Sequence, residues 1–453
     1  MSREREAGQT FGAGSLVAIL RGAALAGLLQ VASYGLSYVL NFLLAHWLGA
    51  AQFGRYAYTM TVYSLVGLVA TAGFSASALR FLPQYLAHQD SGNVRRYLAT
   101  ARRTLLGVAT AIALMLLTLL WTIPGSFGAY ADPLLYGLPL VVLLAVVQFA
   151  SESLRAFGSV FQAYFPSQVL RPLLVLAAVW VALRTTGGVD APHVVLTVVG
   201  VMLVVAAVQL ISLARAPGLV PAGEAAPSVE RSLWWKISLS LLAISVLGAL
   251  LRQMDVVILG WFVPTSEVGI YAIAVRLATF CGLSLILINI LAAPSLLTLY
   301  SAGRKDEMQA LASQLAHVVF WPALAVALLG GYFARDILGL LRPEYRAAAP
   351  AMIVLLLGQL VNVAVGPVGH LVDLTGHHRA GLYVRAFALA LGVVAALSLI
   401  PRFGIIGAAL ATAAAMVVWN VSLYVIVATR VGLRTSIFDA VFAAVRGRGT
   451  RGT

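Results

Sequence analysis

Three ionisable residues interrupt otherwise apolar runs: Arg252 and Asp255 in "LRQMDVVILG", and Arg276 in "IAVRLATF". A charge held in hydrocarbon costs about 2.5–3.5 kcal/mol on insertion scales, so each marks a functional site by default. Arg252 and Asp255 are three residues apart on one helical face and can interact. Counting about 1.5 Å per residue from the outer loop between them puts Asp255 and Arg276 roughly 12–14 Å deep, with Arg252 about one turn further in. Together they retain one positive charge, which suits recognition of an anion such as phosphate. The alternative is an internal ion pair that fixes the packing of two helices.

Other polar groups could share this work. Arg80 ends a span in "SALRFLP", and Arg21 sits at headgroup depth; each could meet an anion, or snorkel to the interface with no specific task. Arg171 and Arg385 lie roughly 6–8 Å inside two spans, also within snorkelling reach. Asn41 and Asn289 could hydrogen-bond a polar cargo, as could Gln30, Gln148, Gln359, Asn362 and Asn420. Interhelical bonding, at about 0.6–2 kcal/mol per contact, is the commoner role for such residues. Asp373 and His370 could form a titratable pair for proton coupling. The aromatics Tyr34, Tyr38, Trp47, Tyr56, Tyr58 and Tyr63 read as an interfacial belt.

The elements that position these residues follow from composition. Hydrophobic residues fill 61% of the 453 positions and charged residues 10%, against about 25% charged in soluble domains. Runs long enough to cross roughly 30 Å of hydrocarbon recur along the chain. They are continuous rather than alternating, which excludes an outer-membrane barrel. The expected fold class is an all-α polytopic membrane protein of about twelve transmembrane helices. We place them at 24–48, 56–80, 98–122, 134–154, 167–184, 193–214, 237–262, 268–293, 310–334, 348–372, 380–400 and 404–429. Residues 15–23 read as a short interfacial lead-in, and Pro294 as the end of the eighth span. The N-terminus lacks the pattern of a cleaved signal peptide. One cysteine, Cys281, excludes an internal disulfide, and the chain has no phosphate-binding GxxxxGK[ST] loop.

Lysine and arginine orient the spans. With both termini cytoplasmic, 21 basic residues fall on inner segments and six on outer ones, as the positive-inside rule requires. The net charge of +14 therefore reads as topology and contact with anionic lipid, not as a nucleic-acid site.

A short connector is written twice. "LGAAQFGRYA" (48–57) and "LGWFVPTSEVGIYA" (259–272) both end in Gly-x-Tyr-Ala and both join a first span to a second. Residues 215–236, rich in Pro, Gly and Ala, form the only linker-like loop. The expected organisation is a six-helix bundle over 1–214, a cytoplasmic linker over 215–236, a second bundle over 237–430 and a basic tail over 431–453. Parallel repeats of this kind imply two pseudo-equivalent bundles around a central cavity.

"RQMDVVILGWFVPTSEVGIYAIAVRLATF" (252–280) resembles the seventh-to-eighth span signature of the oligosaccharide and polysaccharide flippases. That family belongs to the larger group of multidrug and toxin extrusion exporters and lipid II flippases. "LGAAQFGRYAYTMTVYSLVGLVATAGFSASALRF" (48–81), "LLRPEYRAAAPAMIVLLLGQL" (340–360) and "IPRFGIIGAALAT" (400–412) are similar to further family segments, in order. Arginine at position 80 also resembles the family pattern. The resemblance implies a V-shaped pair of bundles that opens its cavity alternately to the two sides. It implies a flippase, not an enzyme, in the cytoplasmic (inner) membrane, serving O-antigen, lipopolysaccharide or another envelope polysaccharide. The implied cargo is an undecaprenyl-pyrophosphate-linked oligosaccharide or repeat unit. Membrane lipids, a polysaccharide polymerase and chain-length machinery are the implied partners. No cofactor is implied beyond coupling to a proton or sodium gradient or to membrane potential.

Two related functions compete: an ion-coupled multidrug or toxin exporter, and a lipid II flippase. A cation exporter should carry unpaired carboxylates in its spans, whereas the buried charges here lean positive. Lipid II flippases usually carry two further spans. A polytopic glycosyltransferase, polymerase or ligase would need acidic residues or metal ligands in a large loop. Here the longest loops are about 20 residues, and "GHHR" (376–379) has no third ligand.

Overall fold

The structure, a computed structural model, describes residues 13–216 apart from 124 and 126, together with 231–437 and 439. Among these residues every regular element is helical. The first half holds α1 (Ala13–Ala70), α2 (Phe74–Ala87), α3 (Ser91–Thr122), α4 (Ala131–Tyr136), α5 (Pro139–Ala156), α6 (Val160–Tyr164), α7 (Arg171–Thr186) and α8 (Ala191–Ala214). The second holds α9 (Arg231–Phe262), α10 (Thr265–Cys281), α11 (Leu283–Ser301), α12 (Lys305–Tyr332), α13 (Ala334–Leu341), α14 (Ala349–Ala364), α15 (Val368–Leu374) and α16 (His378–Ile426).

Nine helical stretches among the described residues are long and apolar enough to cross a membrane. They resolve into the twelve expected spans because two contain a break. Gly49 (φ 73°) divides α1, and Gly404 (φ 53°) divides α16. Both adopt a left-handed backbone that suits glycine. The eighth span is the remaining case: it is split between α10 and α11 at Gly282. Two expectations are corrected here. Pro294 does not end that span, since α11 stays helical through it to Ser301. Residues 15–23 are continuous with α1 rather than a separate lead-in.

Outward-facing positions carry large apolar side chains such as Trp121, Leu203, Leu328 and Tyr383, the surface expected of a chain immersed in lipid. Within the first half, α5 packs against α1, α2, α3 and α8; within the second, α16 packs against α9 and α14. The halves meet where α1 lies against α9 and α10, and where α2 lies against α9.

These meetings form two seams. At the connector end, the repeated glycines Gly54 and Gly269 face each other. A Cβ on Gly54 would run into the Thr265 carbonyl and approach the Gly269 nitrogen to 2.8 Å. A Cβ on Gly269 would strike the Ala50 carbonyl and come within 2.8 Å of the Gly54 nitrogen. Small residues allow two helix backbones this proximity. At the opposite end, Ser77 and Ser238 hydroxyls lie 2.7 Å apart, and Trp234 Nε1 donates to the Tyr85 hydroxyl at 2.7 Å. Phe74 meets Trp235 edge-on at 5.2 Å there, making that seam largely aromatic.

Candidate functional site: an arginine-lined cavity between the halves

A cavity of about 500 Å³ lies between the halves. Its polar lining comes from four helices: Ser64 on α1, Gln148 on α5, Arg252 and Gln253 on α9, and Arg385 on α16, with Asp373 of α15 at its rim. The Ser64 hydroxyl donates to Gln253 Oε1 at 2.6 Å, bridging the halves across the cavity wall.

Arg252 and Asp255, expected to interact, turn to different places. Arg252 points into the cavity, where Tyr34 and Arg385 lie within its electrostatic range. Asp255 is buried at 2% exposure and faces into the second half. Its Oδ2 accepts the Tyr271 hydroxyl at 2.6 Å and the Thr412 hydroxyl at 3.1 Å, and its Oδ1 accepts the Val256 amide at 2.8 Å. Three donors can hold a carboxylate without a cation beside it. Residues three apart share a broad face, but side chains from α10 and α16 claimed this one. Arg252 and Asp255 are therefore two separate features, a cavity arginine and an internal carboxylate.

Arg276 is exposed, and its electrostatic neighbours are Tyr56 and Tyr38 of α1. It thus faces the opposite half rather than lipid. Arg171, a secondary candidate within snorkelling reach in the sequence, lies within electrostatic range of both Tyr56 and Arg276. It begins α7 directly after a π-helical turn over Phe165–Leu170, which changes the direction of its helix face. Two arginines from different halves therefore converge near Tyr56, and two more, Arg252 and Arg385, line the cavity. Of the four, only Arg385 has an ion pair among the described residues, to Asp373 Oδ2 at 3.1 Å.

The candidate partnership of Asp373 with His370 falls on a side chain outside the described residues, as do the candidates Arg21 and Asn289. Arg80 is exposed on α2 and is not part of the cavity lining. Asn41 is buried and donates to the Ser37 carbonyl of its own helix at 2.7 Å. Asn420 does likewise to Met416 at 2.9 Å, so neither ties two helices together through that bond. The aromatic belt also needs correction: Tyr56, Tyr58 and Tyr63 are buried. Tyr58 stacks on Tyr130 at 4.1 Å, and Tyr63 donates to the Leu134 carbonyl.

The repeated tyrosines are the site residues that the sequence reading undervalued. Tyr56 lies within electrostatic range of Arg276 and Arg171, while its repeat partner Tyr271 donates to Asp255. Their recurrence was visible; the charged groups that each would meet belong to other helices. No group of three or more His, Cys, Asp or Glu suited to a metal occurs among the described residues.

Helices long and apolar enough to cross a membrane, packed as two halves around a polar cavity, define an all-α polytopic membrane protein. A family model described as "Polysaccharide biosynthesis protein" matches residues 19–296, more than half of the sequence. The chain belongs to that family. Among curated proteins none matches. Solved structures with a similar fold include an inward-facing MATE multidrug resistance transporter of the MOP superfamily. It has 15% identity and TM-score 0.67, covering 87% of this chain and 92% of that one. The lipid II flippase MurJ, in an inward closed conformation, has 13% identity and TM-score 0.68, with 90% and 88% covered. The Vibrio cholerae MATE transporter VcmN has 14% identity and TM-score 0.60, with 89% and 97% covered.

Proposed function

We propose that the protein is a flippase. Its cargo in this reading is an undecaprenyl-pyrophosphate-linked oligosaccharide or polysaccharide repeat unit, turned from the inner to the outer leaflet of the cytoplasmic membrane by alternating access. The observation that carries the reading is the set of arginines between the halves, Arg171, Arg252, Arg276 and Arg385, with one acidic partner at the rim. Such a set is suited to an anionic group crossing hydrocarbon, where uncompensated cations are otherwise costly. Membership of a polysaccharide biosynthesis family supports a glycan as the rest of the cargo.

In this reading the two bundles span 1–214 and 237–430, both termini are cytoplasmic, and the Gly54–Gly269 end faces outward. A proton or sodium gradient, or membrane potential, drives the cycle. A drug exporter for cations is the weaker reading, because Asp255 is already satisfied by Tyr271 and Thr412. The test is a deletion strain. The reading expects undecaprenyl-linked glycan to accumulate on the inner leaflet and to clear on complementation; normal surface glycan in the deletion would refute it. Rescue of a lipid II flippase depletion strain would move the cargo to the peptidoglycan precursor.

A further inference from the structure

The Gly49 break leaves the last carbonyls of one helical segment and the first amides of the next without intrahelical partners. The partners come from the other half of the chain, from the short segment Leu341–Tyr345. Arg342 Nε donates to the His46 carbonyl at 2.7 Å, and its Nη2 to the Trp47 carbonyl at 3.1 Å. The Tyr345 hydroxyl donates to the Ala45 carbonyl at 3.2 Å. Beyond the break, the Ala50 amide donates to Glu344 Oε1 at 2.7 Å. A cation thus meets the helix C-terminus and an anion the next N-terminus, so both charges match the helix dipoles. Directly along α1, Gly54 makes its backbone contact with Gly269.

We propose that the Arg342–Glu344 clamp is a latch that holds the connector end of the cavity shut, and that it releases whenever the cavity opens there. The Arg342 and Glu344 bonds are polar and exposed or half-buried, where water can replace them at modest cost, while the Tyr345 bond beneath them is buried. The opposite seam is aromatic and adjoins the segment that joins the two halves, which suits it to stay closed as a pivot. The purpose of the latch rests on the transport reading, but its opening is measurable without any cargo.

The test uses the full-length protein in membrane vesicles of both orientations, with Cys281→Ser removing the only cysteine. Gln148→Cys places a reporter in the cavity, and a membrane-impermeant maleimide is applied from either side. Gly188→Cys, in the open turn before α8, and Ala302→Cys, after α11, identify the two ends. Arg342→Ala with Glu344→Gln should raise labelling of the reporter from the connector end about tenfold, as charge-assisted bonds are lost. Tyr85→Phe, which removes the Trp234 hydrogen bond of the opposite seam, should not. Gly54→Ala should act like the latch variants by wedging the seam. Because that change can also disturb folding, the side-chain variants decide the question. Unchanged connector-side labelling in the Arg342/Glu344 variant, or an equal rise with Tyr85→Phe, would overturn the proposal. The expected labelling shifts together with normal surface glycan in the deletion strain would leave the latch standing and count against the cargo reading instead.

Discussion

Gly54 and Gly269, half a chain apart and identical in their repeat position, touch backbone to backbone across the two halves. Neither tolerates even a methyl group without collision with a carbonyl. The contact explains why one connector is written twice: each copy supplies half of a seam between helices that approach too closely for any side chain.

Gly54→Ala and Gly269→Ala should therefore each abolish transport or reduce it severely. Gly35→Ala, where a Cβ meets nothing within 4 Å, should leave it intact. Surface glycan display, normalised to the amount of inserted protein, checks this. Equal tolerance of all three substitutions would remove the seam from the account.

The carboxylate of Asp255 depends on donors from two other helices. Tyr271→Phe deprives it of one while keeping the ring, and should cost about 1–3 kcal/mol, the range for leaving a buried polar group underbonded. Thr412→Val should cost less, because its bond is longer at 3.1 Å. Thermal unfolding of the detergent-purified variants measures both.

Arg252→Ala and Arg276→Ala should reduce glycan display tenfold or more while the protein still inserts, since each removes a cation from the inter-half space. Arg171→Ala should behave alike, which separates it from a snorkelling residue. Arg304→Ala, which removes an exposed pair with Glu307, should have little effect on display.

The Arg385–Asp373 pair is a different case. Asp373 is 51% exposed, so Asp373→Asn should change stability by less than about 1 kcal/mol, as for other solvated pairs. A larger loss in thermal unfolding would show that the pair holds α15 to α16.

The architecture was largely legible in the sequence because membrane spans announce themselves by length and hydropathy. All twelve spans recur, two pairs hidden inside single long helices. The misreadings have a common physical origin. Pro294 was expected to stop a helix, yet its span stays helical there, as prolines in membrane helices often do once neighbours satisfy the freed backbone group. Tyr56, Tyr58 and Tyr63 looked interfacial because depth was counted along one helix, while their burial is set by α4, α7 and α9. The pairing of Arg252 with Asp255 was inferred from spacing on one helix, and the structure turns them apart because Tyr271 and Thr412 reach Asp255 from α10 and α16. Spacing gives the set of possible partners; tertiary packing chooses among them.

The central claim is that arginines between the halves carry a diphosphate-linked glycan across the membrane. Its most direct test is reconstitution of the purified protein into proteoliposomes with a polyprenyl diphosphate bearing one labelled sugar. Exposure of that sugar to a membrane-impermeant reagent is then followed over time. The account predicts protein-dependent translocation that falls at least about tenfold when Arg252 and Arg276 are both replaced by alanine. Translocation at the wild-type rate without those two arginines would contradict it.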